Sequence, residues 1–222
     1  MADTSLRGRR VAVLATDGVE QVELTEPWRA LEAAGAEPEL ISLAPGRIQM
    51  MKHDDKGDTF PVDRTVAESR AADYAMLVLP GGVANPDRLR MDRAAVQFAR
   101  EFMAAEKPVA SICHGPWLLV EADVVRGRRL TSWPSLQTDV RNAGGEWVDA
   151  EVQVDEKLVT SRKPADLPAF CERMLALLAG GAAEEARLDR MVEQTFPASD
   201  PLPGPSAVGG EGASEAPPRE VR

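Results

Sequence analysis

The stretch Lys107-Pro108-Val109-Ala110-Ser111-Ile112-Cys113-His114-Gly115-Pro116 decides the reading of this chain. Its apolar run ends at a cysteine, and Gly115-Pro116 opens a helical pattern at Trp117-Leu118-Leu119-Val120. Strand, nucleophile, small residue and helix in that order are the architecture of a nucleophile elbow. Such a turn exposes the Cys113 side chain above the sheet edge, near a helix N-terminus whose partial positive charge favours thiolate over thiol. A free cysteine is more often a small buried hydrophobe. The residues on either side of Cys113 argue for the elbow.

Working outward, Arg10 to Ala15 is a short apolar strand closed by Thr16-Asp17-Gly18. A helix follows from about Glu20 to Ala34, with Trp28, Leu31 and Ala34 at helical spacing and Gly35 as its stop. Glu39 to Leu43 is the next strand, and Pro45 to Asp63 suggests two short strands or a hairpin arm. Tyr74 to Leu79 is a third core strand, ending in Pro80-Gly81-Gly82, and a helix over Arg93–Ala105 leads to the elbow. Trp147–Val154 and Lys157–Ser161 alternate like a hairpin around Asp155-Glu156, and a helix over Pro164–Ala179 closes the domain. Alternating strand and helix predicts a parallel sheet covered on both faces, with the chemistry outside the carboxyl ends of the strands. Asp17–Glu23, Pro80–Asp87 and Cys113-His114 all fall at such ends.

The chain has 222 residues, enough for one domain of residues 9–179 plus an appendage. After Gly180-Gly181 the composition changes: residues 180–196 read as a charged helical extension, and 197–222 as a Pro/Gly-rich disordered tail. A net charge of −10 argues against nucleic acid or an anionic membrane as partner. The basic clusters at Arg7–Arg10 and Arg126–Arg129 read as solvated strand ends. Two distant cysteines, Cys113 and Cys171, a polar N-terminus without a signal peptide, and no run long enough to span a membrane predict a soluble cytoplasmic protein. No Cys-x-x-Cys, His-Glu-x-x-His or Walker-type loop occurs, so neither a metal nor a nucleotide cofactor is expected. His53 reads as a surface histidine, Cys171 as core packing, Glu20 as a helix-start or exposed carboxylate, and Asp149, Glu151 and Asp155 as a solvated face.

Ser111–Pro116, Leu79-Pro80-Gly81-Gly82 and Asp17-Gly18-Val19-Glu20-Gln21-Val22-Glu23 together resemble the PfpI family of cysteine hydrolases, within the class I glutamine-amidotransferase-like superfamily. Trp147–Val152 and Ser161–Leu167 extend the likeness over residues 9 to 179. The resemblance implies a flavodoxin-like three-layer sandwich and a homodimer, or a ring of dimers, sharing active sites. Carried over residue by residue, it makes Cys113 the nucleophile and His114 its general base. It makes Asp87, contributed by a neighbouring subunit, the acidic third member, and it puts Glu23 against the sulfur. The backbone N–H groups of Gly82 and His114 would form the oxyanion hole. Adjacent residues usually point apart, so Cys113 and His114 can pair only at a strained turn. Glu23, desolvated beside a thiol, would have a raised pKa and could donate a hydrogen bond to a thiolate.

The implied activity is attack on a carbonyl, either as a peptidase or as a deglycase or glyoxalase-like enzyme on the carbonyl adduct of an amine, in a stress-related setting. Glutamine amidotransfer is not expected, because no histidine follows His114. The alternative is a redox-sensing or chaperone-like stress protein that uses Cys113 as an oxidisable thiol, and a third reading is an interaction scaffold docked through the acidic tail.

Overall fold

The structure, a computed structural model, describes residues 6–180; the expected helical extension and tail lie outside the described residues, apart from Gly180. In chain order the elements are β1 (Arg10–Leu14), β2 (Val19–Glu20), α1 (Gln21–Ala33), β3 (Glu37–Ser42), β4 (Arg47–Lys52), β5 (Asp55–Pro61), β6 (Arg64–Thr65), β7 (Met76–Leu79) and α2 (Ala84–Leu89). There follow α3 (Arg93–Ala104), β8 (Val109–Ile112), α4 (Pro116–Glu121), β9 (Arg129–Leu130), α5 (Gln137–Asn142), β10 (Glu146–Trp147), β11 (Val152–Asp155), β12 (Leu158–Ser161) and α6 (Leu167–Ala179). The central sheet runs β11-β12-β8-β7-β1-β3-β6, and every pairing in it is parallel except β11 with β12.

Period-two alternation along the buried strands builds the three layers. Val11 and Val13 of β1, Met76 and Val78 of β7, and Ala110 and Ile112 of β8 face one core with Leu24 and Leu31 of α1 and Phe170, Met174 and Leu178 of α6. Ala12, Leu14, Leu77, Leu79 and Val109 face the other, with Phe98, Ala99 and Phe102 of α3 and Leu118 and Leu119 of α4. Burying a side chain such as Phe102 or Phe170 contributes about 3 kcal/mol. The result is the parallel sheet covered on both faces expected from the alternation of elements, in the flavodoxin-like sandwich that the resemblance implies.

Several local expectations are corrected. Residues 147–154 do not form one strand: Trp147 pairs with Leu130 in a small parallel pair, β9 with β10, and the chain re-enters the main sheet only at Val152. The arm at 47–61 is an antiparallel hairpin, as expected, and β2 pairs with its β4 strand. Glu20 therefore lies in a strand and is buried, accepting a hydrogen bond from the His53 backbone N–H. Asp155 is not merely solvated: its carboxylate accepts from the Arg129 backbone N–H and lies 3.6 Å from Arg128. Helix α2 has no counterpart in the sequence reading. Cys171 packs against the core on α6, as expected. No helix among the described residues is long and apolar enough to cross a membrane.

Candidate active site

Three strand ends meet at one rim. β1 runs out into Thr16–Gly18, β7 into Pro80-Gly81-Gly82 and β8 into Cys113. Asn85, fully buried in α2, locks two of them together: its Oδ1 accepts from Thr16 N–H at 2.8 Å and its Nδ2 donates to the Pro80 and Gly81 carbonyls. Two consecutive carbonyls and an amide converging on one side chain explain why a polar residue is tolerated there.

Cys113 sits at the turn between β8 and α4 with φ +61°. A non-glycine residue in the left-handed region costs of order 1 kcal/mol and persists only where its surroundings hold it. Here Cys113 N–H donates to the Ser161 carbonyl, its carbonyl accepts from Trp133 N–H at 2.8 Å, and Gly115 N–H donates to the Ile112 carbonyl. This conformation overcomes the divergence of neighbouring side chains, and Cys113 Sγ lies 3.2 Å from His114 Nδ1. The backbone N–H groups of Gly82 and His114 both point at the sulfur. Gly82 itself requires glycine: its φ is +76°, and a Cβ there would run into the Gly18 carbonyl oxygen.

Glu23 comes up from α1 beneath this group, fully buried. Its Oε2 accepts from Gly81 N–H at 2.9 Å, while Oε1 has no nitrogen or oxygen partner. Burial raises the pKa of Glu23 to about 8, so the carboxyl is protonated at neutral pH while it touches the Cys113 side chain. Burial, and then the charge of an ionised Glu23, push the Cys113 thiol up, against the Gly82 and His114 N–H groups that favour thiolate. The sequence expectation of a thiolate favoured by the helix dipole is thus reversed in the resting site. α4 has only six residues, and its N-terminus does not outweigh desolvation. Protonating Glu23 removes the second of the raising causes and substitutes a donor for a charge. Burial also lowers the pKa of His114, which is neutral at pH 7 and able to accept the thiol proton.

The raised Glu23 pKa has a thermodynamic consequence. The folded state holds a proton that the unfolded chain releases near its ordinary pKa, so stability falls as pH rises from about 4.5 to about 8. Glu23→Gln removes that dependence. Relative to the variant, the wild-type melting temperature is expected to fall between about pH 5 and about pH 8. Parallel curves for the two proteins in calorimetry would mean that Glu23 titrates normally.

Asp87 does not reach His114 within one chain. It lies on α2, exposed, and its carboxylate takes both Nε and Nη2 of Arg90, at 3.0 and 2.7 Å. Arg90 in turn stacks 4.7 Å over the Trp117 ring, whose centroid is 5.1 Å from that of His114. The imidazole also stacks on Trp133. Sequence reasoning missed these two tryptophans, although Trp117 stands in the elbow helix, three residues beyond His114. It also missed His53 as a wall of the site. The arm turn carries His53 and Asp54 to the mouth of a cavity of about 500 Å³ lined by Glu20, Glu23, Gly82, Val83, Cys113, His114 and Trp133. His53 is exposed, as the sequence suggested, yet it belongs to the pocket. Among the described residues no group of three His, Cys, Asp or Glu side chains could hold a metal ion.

A buried cysteine paired with its neighbouring histidine at a strand end, with a carboxyl and two N–H groups at the sulfur, is an arrangement able to act as a nucleophile. The chain is 44% identical over 171 residues to protein/nucleic acid deglycase 2 of Escherichia coli, covering 77% of this chain and 98% of that one. It is 42% identical over 172 residues to general stress protein 18 of Bacillus subtilis, covering 77% and 98%. Among solved structures it superposes with a TM-score of 0.74 and 33% identity on a two-domain protein of Anabaena variabilis with DJ-1/ThiJ/PfpI-like and ferritin-like domains. That match covers 81% of this chain and 51% of the other, so the chain spans about half the length of the two-domain protein. With the DJ-1/PfpI family matching residues 9–177, the chain belongs to that family.

Proposed function

We propose that this protein is a cysteine hydrolase of the PfpI type, a peptidase or a deglycase of carbonyl-modified amines, with a role in stress. Cys113 Sγ attacks the carbonyl carbon, the C=O electron pair moves to oxygen, and the thiol proton passes to His114 Nδ1. The N–H groups of Gly82 and His114 receive the developing oxyanion, the kind of preorganised stabilisation that contributes several kcal/mol to such reactions. His114 then returns the proton to the leaving amine, and water releases the thioester or its equivalent. Glu23 keeps its proton and steadies the sulfur. The observation that carries this reading is the left-handed backbone of Cys113, which alone lets Sγ and Nδ1 of adjacent residues meet at 3.2 Å.

The exposed Asp87 supports the further reading that the site is completed by a second copy of the chain, whose acid would approach His114 from outside. Val83 and Met91, 59% and 82% exposed on either side of α2, supply apolar surface for such an assembly. Cysteines left unpaired, Cys113 and Cys171, accord with a cytoplasmic location. A second reading, oxidation sensing, is favoured by the Glu23 carboxyl beside Sγ, where its proton could stabilise a sulfinate.

Turnover of a glycated peptide beside the same peptide unmodified tests the reading and selects the subtype. Hydrolysis of at least one is expected, with specific activity falling on dilution below the dissociation constant of the assembly. Absence of turnover on both, with Cys113 reduced, sinks the hydrolase. Concentration-independent specific activity in a demonstrated monomer removes the shared acid.

A further inference from the structure

We propose that Ser135 is the positioning residue that sets the imidazole tautomer of His114, an inference that rests on Cys113 and His114 being the reacting pair. A neutral imidazole carries its proton on one nitrogen only. For Nδ1 to take the thiol proton it must be bare, so the proton must sit on Nε2. Left to itself the ring populates both tautomers, and the one with the proton on Nδ1 is useless as a base toward Sγ. Something must hold the proton on the far nitrogen. Within one chain the hydrogen-bonding side chain at Nε2 is Ser135, with Oγ at 3.4 Å. That is at the long end for such a bond, as contacts of catalytic groups are before substrate arrives.

The placement of Ser135 is built in. It belongs to the short turn Pro134–Leu136, whose last residue is fully buried and whose Leu136 N–H donates to the Trp133 carbonyl. Trp133 N–H holds the Cys113 carbonyl, and the Trp133 ring stacks on the imidazole with centroids 5.9 Å apart and planes 23° from parallel. One turn therefore grips the elbow backbone, one face of the His114 ring and its far nitrogen. Trp117 also packs against the imidazole, its centroid 5.1 Å away and its plane tilted by 60°, so the ring is held against the flip that would swing Nδ1 away from Sγ. Ser135 itself is exposed. In the tautomer proposed, its oxygen accepts from Nε2–H and its own proton is left to donate outward. A carboxylate brought up by a second copy could join that hydroxyl without displacing it.

Ring-nitrogen NMR of the full chain, with Cys113 alkylation followed against pH, tests the assignment. The chain has two histidines, so His53 serves as the internal reference. In the wild type the His114 proton is expected on Nε2. Ser135→Ala should give a mixture of tautomers and slow Cys113 alkylation at neutral pH by about tenfold, with the fall most marked where the imidazole is neutral. Ser135→Thr, which keeps the hydroxyl, should restore both readouts. An unchanged tautomer and alkylation profile in Ser135→Ala overturns the proposal. So does a tautomer that responds to Asp87→Asn and not to Ser135→Ala, which would assign the role to the acid alone. Neither readout needs turnover: a chain that hydrolyses nothing yet shows the tautomer shift would end the hydrolase reading and leave Ser135 in place.

Discussion

Cys113→Ser is expected to lower turnover by at least about a thousandfold, and His114→Ala by a comparable factor, because the two act as one unit. A serine hydroxyl at this position keeps the hydrogen bond to Nδ1 and the turn geometry, but it is a far weaker acid than a thiol. The resting site already disfavours charge on the nucleophile through burial, and an alkoxide would suffer more. The double variant should be little worse than either single one. Cys113→Ser should leave the melting temperature nearly unaltered, since the volume there is almost conserved, whereas His114→Ala removes a buried ring packed on Trp117 and Trp133 and should lower it. The same pair of variants separates the two functional readings. A redox sensor loses its peroxide response with Cys113→Ser and keeps it with His114→Ala, while the hydrolase loses turnover with both. Residual turnover above about a tenth of wild type in Cys113→Ser would remove the cysteine from the chemistry.

Gly81→Ala is the second change with a large expected effect, this time on the fold around the site. A Cβ at position 81 would lie 2.6 Å from Cys113 Cβ, 2.6 Å from Glu23 Oε2 and 2.9 Å from His114 N. Two of those neighbours are fixed by the elbow and the third is fully buried, so none can give way cheaply. The backbone must move, and with it the Gly81 N–H that satisfies Glu23 Oε2. Overpacking and an unsatisfied buried carboxyl together are expected to cost about 3 kcal/mol, read as a lower urea midpoint with an unchanged slope. The pairing of Sγ with Nδ1 would be lost in the same displacement, so the surviving folded protein should be inactive. A variant within about 0.5 kcal/mol of wild type and still active would mean that the strand end is more pliable than its packing indicates.

The order of the main-sheet strands β1, β3, β7 and β8, the helices α1, α3 and α6, the parallel sheet and the elbow were legible in the sequence, because each rests on local signals. Apolar runs bounded by Gly and Pro mark buried strands, and the step from Ile112 to Pro116 marks a strand-to-helix turn. Periodicity was a poorer guide where a short segment owes its structure to a partner. The six-residue helix α2 is held by Asn85 reaching back to Pro80 and Thr16, and Trp147 leaves the main sheet to pair with Leu130. Both depend on contacts far away in sequence, which no window of residues reports. The same holds for Glu20, whose spacing suggests a solvated helix start and whose burial is imposed by the arm.

At the site, the sequence by itself determined which candidate groups are present: Cys113 beside His114 at a strand end and the Gly81-Gly82 turn, with Glu23 added by the family resemblance. Tertiary structure alone decided their ionisation and alignment. Whether Cys113 rests as thiol or thiolate depends on how completely the fold removes it and Glu23 from water. Residue identity cannot encode that, because desolvation comes from every layer packed around the pair. The tautomer of His114 likewise depends on Trp117, Trp133 and Ser135, brought to the ring by segments that become its neighbours only when the sheet assembles.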